Sequence, residues 1–201
     1  MAWIETIAFE DAAGKLRATY DRIAGRKESI DNILIVHGLR PHTLSGHLAL
    51  YKSVLHHTSN QLPVWFLEAV GVLVSRINGC TYCETHHAEG LRRGLNDDVR
   101  TLRVIEALRN QRFEDAFNER EAAALRYAAR LTSEPASVSI DDVEAMRSAG
   151  MTDGEILEVN QVAAYFAYAN RTVSGLGVTL DGDQLGLSPP DSDDLTDWVH
   201  R

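Results

Sequence analysis

Cysteine is nearly absent from this 201-residue sequence, which has only two, at positions 80 and 83. A pair three residues apart closes too little chain to staple a fold as the bridges of small secreted proteins do, so the thiols point to redox or metal chemistry in a reducing compartment. Positive charge is short as well. Lys and Arg total 20 against 29 Asp and Glu, a formal net charge of -9, which offers no face to a polyanion and argues against DNA or RNA as partners. Long apolar runs are missing too: residues 64–77, the most apolar stretch, are interrupted by Glu68, Ser75 and Arg76, so no membrane span is expected. Residues 1–14 carry Glu5, Glu10 and Asp11 where a secretory signal would have a basic start and an apolar run. The expected location is the cytoplasm.

Strand-like alternation is also lacking, and apolar residues recur at helical spacing nearly everywhere. The expected fold is all-α, with about nine helices. A hydrophobic fraction of 44% suffices for one ordinary domain. Residues 1–180 read as that domain, with its CxxC core at about 40–110. Residues 181–201 contain six Asp, two Gly and Pro189-Pro190 and read as an acidic, solvated tail, from which Trp198 can dock on a neighbouring surface. Helices are predicted at 11–23, stopped by Gly25, at 30–39, at 42–57 with Leu44, Leu48, Tyr51 and Leu55 on one stripe, and at 63–78, opened by Pro63 and ended by Asn78-Gly79. The next runs from Cys80 to Arg93 with Gly94 as a left-handed cap, followed by helices at 97–110, 119–132, 140–149 and 153–176, the last behind Thr152 with Glu155 three residues on.

The chemistry concentrates at the start of the Cys80 helix. A thiolate attacks disulfides and peroxides where a thiol does not, and the unpaired N–H groups and dipole of a helix N-terminus favour that charge. At about 100° per residue, His87 projects within roughly 20° of Cys80 and 40° of Cys83, which makes it the natural base. His86 lies about 60° from Cys83 and roughly 120° from Cys80, so it is the second candidate, with a surface role otherwise. Glu68 is the one acid in the apolar middle of its helix, and a carboxylate there needs a partner. A bond to His87 would give a carboxylate–histidine–thiol relay; a salt bridge to Arg76 or a solvent-facing position is the alternative.

The pattern Glu68, eleven residues, Cys80, two residues, Cys83, three residues, His87 resembles the AhpD-like alkylhydroperoxidase group of the carboxymuconolactone decarboxylase superfamily. Residues 160–180, with Phe166, Asn170-Arg171 and Leu176-Gly177-Val178, are similar to its peroxidase-related branch. The resemblance implies an AhpD-like helical bundle assembled as a trimer or hexamer, needing no cofactor or metal. It also implies an antioxidant cycle in which Cys83 attacks a hydroperoxide, Cys80 resolves the sulfenic acid to a disulfide, Glu68 and His87 move protons, and a dithiol reductant or redox partner protein restores the thiols. One departure is that AhpD proteins often place a histidine between the cysteines, where this chain has Tyr82.

Two other uses of the same residues stand beside it. Cys80, Cys83 and His87, completed by Glu68 or His86, would be a competent zinc ligand set for a structural or sensor module. The superfamily fold could also serve a carboxymuconolactone-decarboxylase-like reaction. Elsewhere, Tyr165, Phe166 and Tyr168 read as core or interface, and Asn160 and Asn170 as members of a bond network or solvent-facing residues. His37, His42, His47, His56 and His57 read as surface or capping residues, with His47 of interest only if it lies near Cys83.

Overall fold

The computed structural model of the chain describes residues 2–24 and 30–200. Among these residues it contains nine α-helices and no strand: α1 (Gly14–Ala24), α2 (Asn32–Ile35), α3 (Pro41–Leu55), α4 (Val64–Ile77), α5 (Thr81–Leu95), α6 (Asp98–Asn110), α7 (Glu119–Ser133), α8 (Ile140–Ser148) and α9 (Asp153–Leu176). The predicted stop at Gly25 lies outside the described residues. No helix is long and apolar enough to cross a membrane.

Helix α4 is the hub, touching α3, α5, α6, α7 and α9. Ten consecutive residues, Phe66 to Ser75, are buried, as expected of a helix that is apolar on every side. Around it gather Leu108, Leu125, Val159, Val162 and Phe166 of α6, α7 and α9. A second cluster joins Leu16, Tyr20 and Ile23 of α1 to Leu44 and Leu48 of α3, with Trp198 from the C-terminal segment docked on it. A third, smaller cluster sets Cys80, Tyr82 and Cys83 against Val36, Val173 and Val178.

Most helix ends fall where the sequence places them, and the exceptions have local causes. The apolar segment at 30–39 yields only the single turn α2, continued by turns up to Arg40. It is held from outside: the Asn32 backbone N–H donates to Asp183, and the Asn32 side chain donates to the Thr179 and Asp181 carbonyls. Gly94 is not the cap of α5. That place belongs to Asn96, at φ 48°, one of the few residue types that tolerate the left-handed region, whereas Gly94 lies inside the helix where a Cβ would come within 3.0 Å of the Trp65 Cβ. The capping box of Thr152 and Glu155 forms as predicted.

The C-terminal segment, solvated by composition, lies along the body instead. Asp183 meets Asn32 and Tyr82, Lys52 donates to the Pro190 carbonyl, Asp191 pairs with His56, and the His200 N–H bonds to the Ile23 carbonyl. A buried lysine and three histidine–aspartate pairs thus add to the apolar contacts of Leu187 and Trp198.

The approach of α9 to α4 depends on Gly71, where a Cβ would stand 2.2 Å from the Phe166 ring. Gly71→Ala is therefore expected to destabilise the chain by about 1–3 kcal/mol through overpacking, seen as a lower urea midpoint at unchanged m-value. An unchanged midpoint would mean that α9 can slide away freely.

Candidate active site

The turn between α4 and α5 sets the geometry. Gly79, at φ 69°, ends α4 in a Schellman arrangement: the Cys80 N–H reaches the Ser75 carbonyl at 2.8 Å and the Gly79 N–H reaches the Arg76 carbonyl at 3.0 Å. This places Cys80 at the N-cap of α5 and Cys83 in its first turn. Both cysteines are buried and reduced, with their sulfurs 3.1 Å apart.

The contact between the sulfurs divides their acidity. Hydrogen bonding from Cys83 brings the Cys80 thiol down to about 6 against the opposing effect of burial, helped by Ser174 and Asn170. The same contact, burial and the neighbouring sulfur's charge push Cys83 up. Asn170, ambiguous in the sequence, is buried and fixed: its carbonyl accepts from the Asn78 amide at 2.9 Å and its own amide donates to the Ser75 hydroxyl at 3.0 Å. Asn160 instead donates to the Tyr127 hydroxyl at 2.7 Å, remote from the thiols in sequence and in its contacts.

Glu68 and His87 meet as the helical spacing suggests. His87 Nδ1 lies 2.6 Å from a Glu68 carboxylate oxygen, and Glu68 is buried. Arg76 pairs with Glu84 and not with Glu68. With Nδ1–H donating to the carboxylate, a neutral ring carries its lone pair on Nε2, which is the base tautomer. The ring is gripped edge-on by Phe166, 4.5 Å between centroids, and by Tyr51 at 6.2 Å. Room for the carboxylate comes from Gly90, whose absent Cβ would stand 2.9 Å from Glu68 Oε1.

Cys83, Glu68 and His87 line a cavity of about 40 Å³ together with Tyr51, His47 and Tyr165, and Cys80 is not in its wall. Tyr165, read as core, thus contributes to the chamber, while Tyr168 is half-exposed. Three histidines assigned to the surface are buried: His37 bonds to Thr43, His56 to Tyr51 and Asp191, and His47, in the chamber wall, lies tilted against the rings of Tyr165 and Tyr168. Burial holds His47 well down, to about 3, so it stays neutral. His86 is also buried, against Tyr82 and Asp183. The contacts of His56 with Asp191, His47 with Tyr165 and His86 with Asp183 join residues far apart in the chain, and nothing in local periodicity signals them. The zinc alternative finds no support in the geometry: Cys80, Cys83 and His87 do not form a group of ligand atoms lying within 4.8 Å of one another, and among the described residues only Asp31, His86 and Asp183 do.

Two outcomes follow from this geometry. Because the Cys80 thiol is lowered to about 6, thiolate reactivity is present at neutral pH and is lost as pH falls through about 6. Iodoacetamide modification followed by mass spectrometry reads this, and a midpoint in the ordinary thiol range near 8.5 would contradict it. Glu68→Gln keeps the shape but removes the charge that orients and stabilises the His87 ring, so thiol turnover should fall by about 10²-fold at the lower end of general acid–base effects with the circular dichroism spectrum retained. An unchanged rate in a folded variant would make Glu68 purely structural.

No family model matches the chain. No curated protein matches it either. Solved structures do. A peroxidase-related protein from Ralstonia eutropha, described as an alkylhydroperoxidase AhpD core, superposes with a TM-score of 0.76 at 20% identity over 89% of this chain and 91% of its own. A peroxidase-related protein from a Silicibacter species gives 0.77 at 21% identity with the same coverages. The debrominase Bmp8 gives 0.68 at 19% identity over 85% of this chain and 88% of its own. By its fold, the chain is an AhpD-like helical bundle of the kind seen in peroxidase-related proteins.

Proposed function

We propose that the chain is a peroxidase-type thiol-disulfide oxidoreductase of the AhpD-like group, acting on small hydroperoxides through Cys83 and Cys80 with His87 and Glu68 as proton carriers. The observation that carries this reading is the buried pair of sulfurs at 3.1 Å, one of them in the wall of a chamber shared with a carboxylate-bound histidine.

Cys83 is the sulfur that meets substrate, since it lines the cavity. His87 Nε2 takes its proton, the sulfur attacks one peroxide oxygen, and the O–O bond breaks with its electron pair leaving on the other oxygen. His87 returns the proton to that oxygen, giving an alcohol and Cys83 sulfenic acid. Cys80, the more acidic thiol, then attacks the sulfenic sulfur, and water leaves as the disulfide closes. The sum is two thiols plus one hydroperoxide giving a disulfide, an alcohol and water. A dithiol donor or redox partner protein reverses the oxidation, and the same pair can exchange with a partner's disulfide. Space of about 40 Å³ takes about three waters, which favours hydrogen peroxide or a small alkyl hydroperoxide over a bulky lipid one.

A reducing compartment such as the cytoplasm suits a cycle that starts from free thiols. Assembly as a trimer or hexamer suits the exposed Val99 and Leu102 on α6, which a second copy would cover. Mass spectrometry after one equivalent of hydrogen peroxide should find both thiols consumed in an intramolecular disulfide. Cys80→Ser should stop at a dimedone-trappable sulfenate on Cys83, whereas a sulfenate trapped on Cys80 in Cys83→Ser, with none on Cys83 in the first variant, would reverse the roles.

A further inference from the structure

Two residues of the thiol chamber's wall, Asp31 and His86, belong with Asp183 to a second cluster that the proposed cycle does not use. Asp31 stands at the N-cap position of α2 without a capping bond from its side chain, His86 stands on α5 and Asp183 belongs to the C-terminal segment, and one ligand atom from each lies within 4.8 Å of the other two. Both carboxylates are shut away from water, with side-chain exposures of 6% for Asp31 and 2% for Asp183.

The bonding around them is incomplete in a directional way. His86 Nε2 is buried 3.3 Å from Asp183 Oδ2, yet makes no hydrogen bond to any described residue. Asp31 Oδ1 is likewise buried with no partner among the described residues, although the residue is only 5% exposed. A buried carboxylate oxygen and a buried ring nitrogen left this way are costly. Asp183, by contrast, is held in place: both its oxygens accept from the Asn32 N–H at 3.1 Å, and Oδ2, the oxygen nearest His86, also accepts from the Tyr82 hydroxyl at 2.5 Å. Donors of this kind orient metal-binding carboxylates.

We propose that Asp31, His86 and Asp183 bind one divalent transition-metal cation, with Zn²⁺ the best fit. The 3.3 Å between His86 Nε2 and Asp183 Oδ2 equals the edge of a tetrahedron with arms of about 2.0–2.1 Å, the length of zinc bonds to imidazole and carboxylate. One Zn²⁺ also neutralises both carboxylates at once, and a mixed nitrogen and oxygen donor set selects zinc over the harder Mg²⁺ and Ca²⁺. The ion would clamp three distant stretches of chain, tying the C-terminal segment to α2 and α5. It is independent of the thiols.

The test uses the untagged full chain, stripped with EDTA and titrated with ZnCl₂ by calorimetry, alongside Cys80→Ser/Cys83→Ser to remove thiol ligation. One Zn²⁺ per chain is expected in both proteins, with affinity reduced at least 10-fold in Asp31→Asn and in His86→Gln. Zinc at 100 times its Kd should raise the melting temperature by roughly 5–10 °C. Should those variants fail to fold, Co²⁺ binding to the double cysteine variant decides the matter. Visible d–d bands without a thiolate charge-transfer band support the site. No bands, or Zn²⁺ binding that disappears with the cysteines, overturns it, as does undiminished affinity in folded Asp31→Asn and His86→Gln.

Discussion

A carboxylate inside an apolar helix bundle must be met by a donor, and much of this molecule is arranged around that requirement at Glu68. Helix α4 is buried over ten residues, only two of which, Glu68 and Ser75, have polar side chains able to bond. Each is answered by a group of the thiol centre: Glu68 by His87, and Ser75 by Asn170. Glycine at position 90 makes room for the first pairing, and glycine at position 71 lets Phe166 close in behind the His87 ring. Removing either partner would leave a buried polar atom without a bond, a loss of about 1–3 kcal/mol and more for a charged group. The polar pairing of the core and the surroundings of the thiols therefore draw on the same contacts.

The C-terminal segment works by a different physics. Beyond Leu187 and Trp198 it buries little apolar surface, and it is held mainly by a buried lysine, backbone hydrogen bonds and histidine–aspartate pairs. Gly186, Leu187 and Ser188 nevertheless line the chamber. Part of the chamber wall is thus held through polar attachments as well as through the packed core.

The helices were legible because their periodicity and caps are local, as at Thr152 and at Asn78-Gly79. The Glu68–His87 contact was legible for the same reason: both residues sit on adjacent helices joined by a tight turn, and an acid in an apolar stripe is conspicuous. What stayed hidden joins distant parts of the chain. Asp183 meets Asn32 and Tyr82 across 151 and 101 residues, and His47 faces Tyr165 across 118. No composition rule distinguishes a solvated acidic segment from one anchored by buried histidines, and Gly94 shows that a helix glycine near an expected end can serve close packing while Asn96 takes the left-handed cap.

The tight turn at Gly79 has a kinetic corollary. Because α4 and α5 form one continuous hairpin, the two sulfurs, the histidine and its carboxylate come from residues 68–87 alone, and contacts of such short range form early in folding. The segment that roofs the chamber follows about a hundred residues later. A chain still being synthesised would therefore hold the two sulfurs beside the His87–Glu68 pair before Gly186, Leu187 and Ser188 arrive to complete the wall around them.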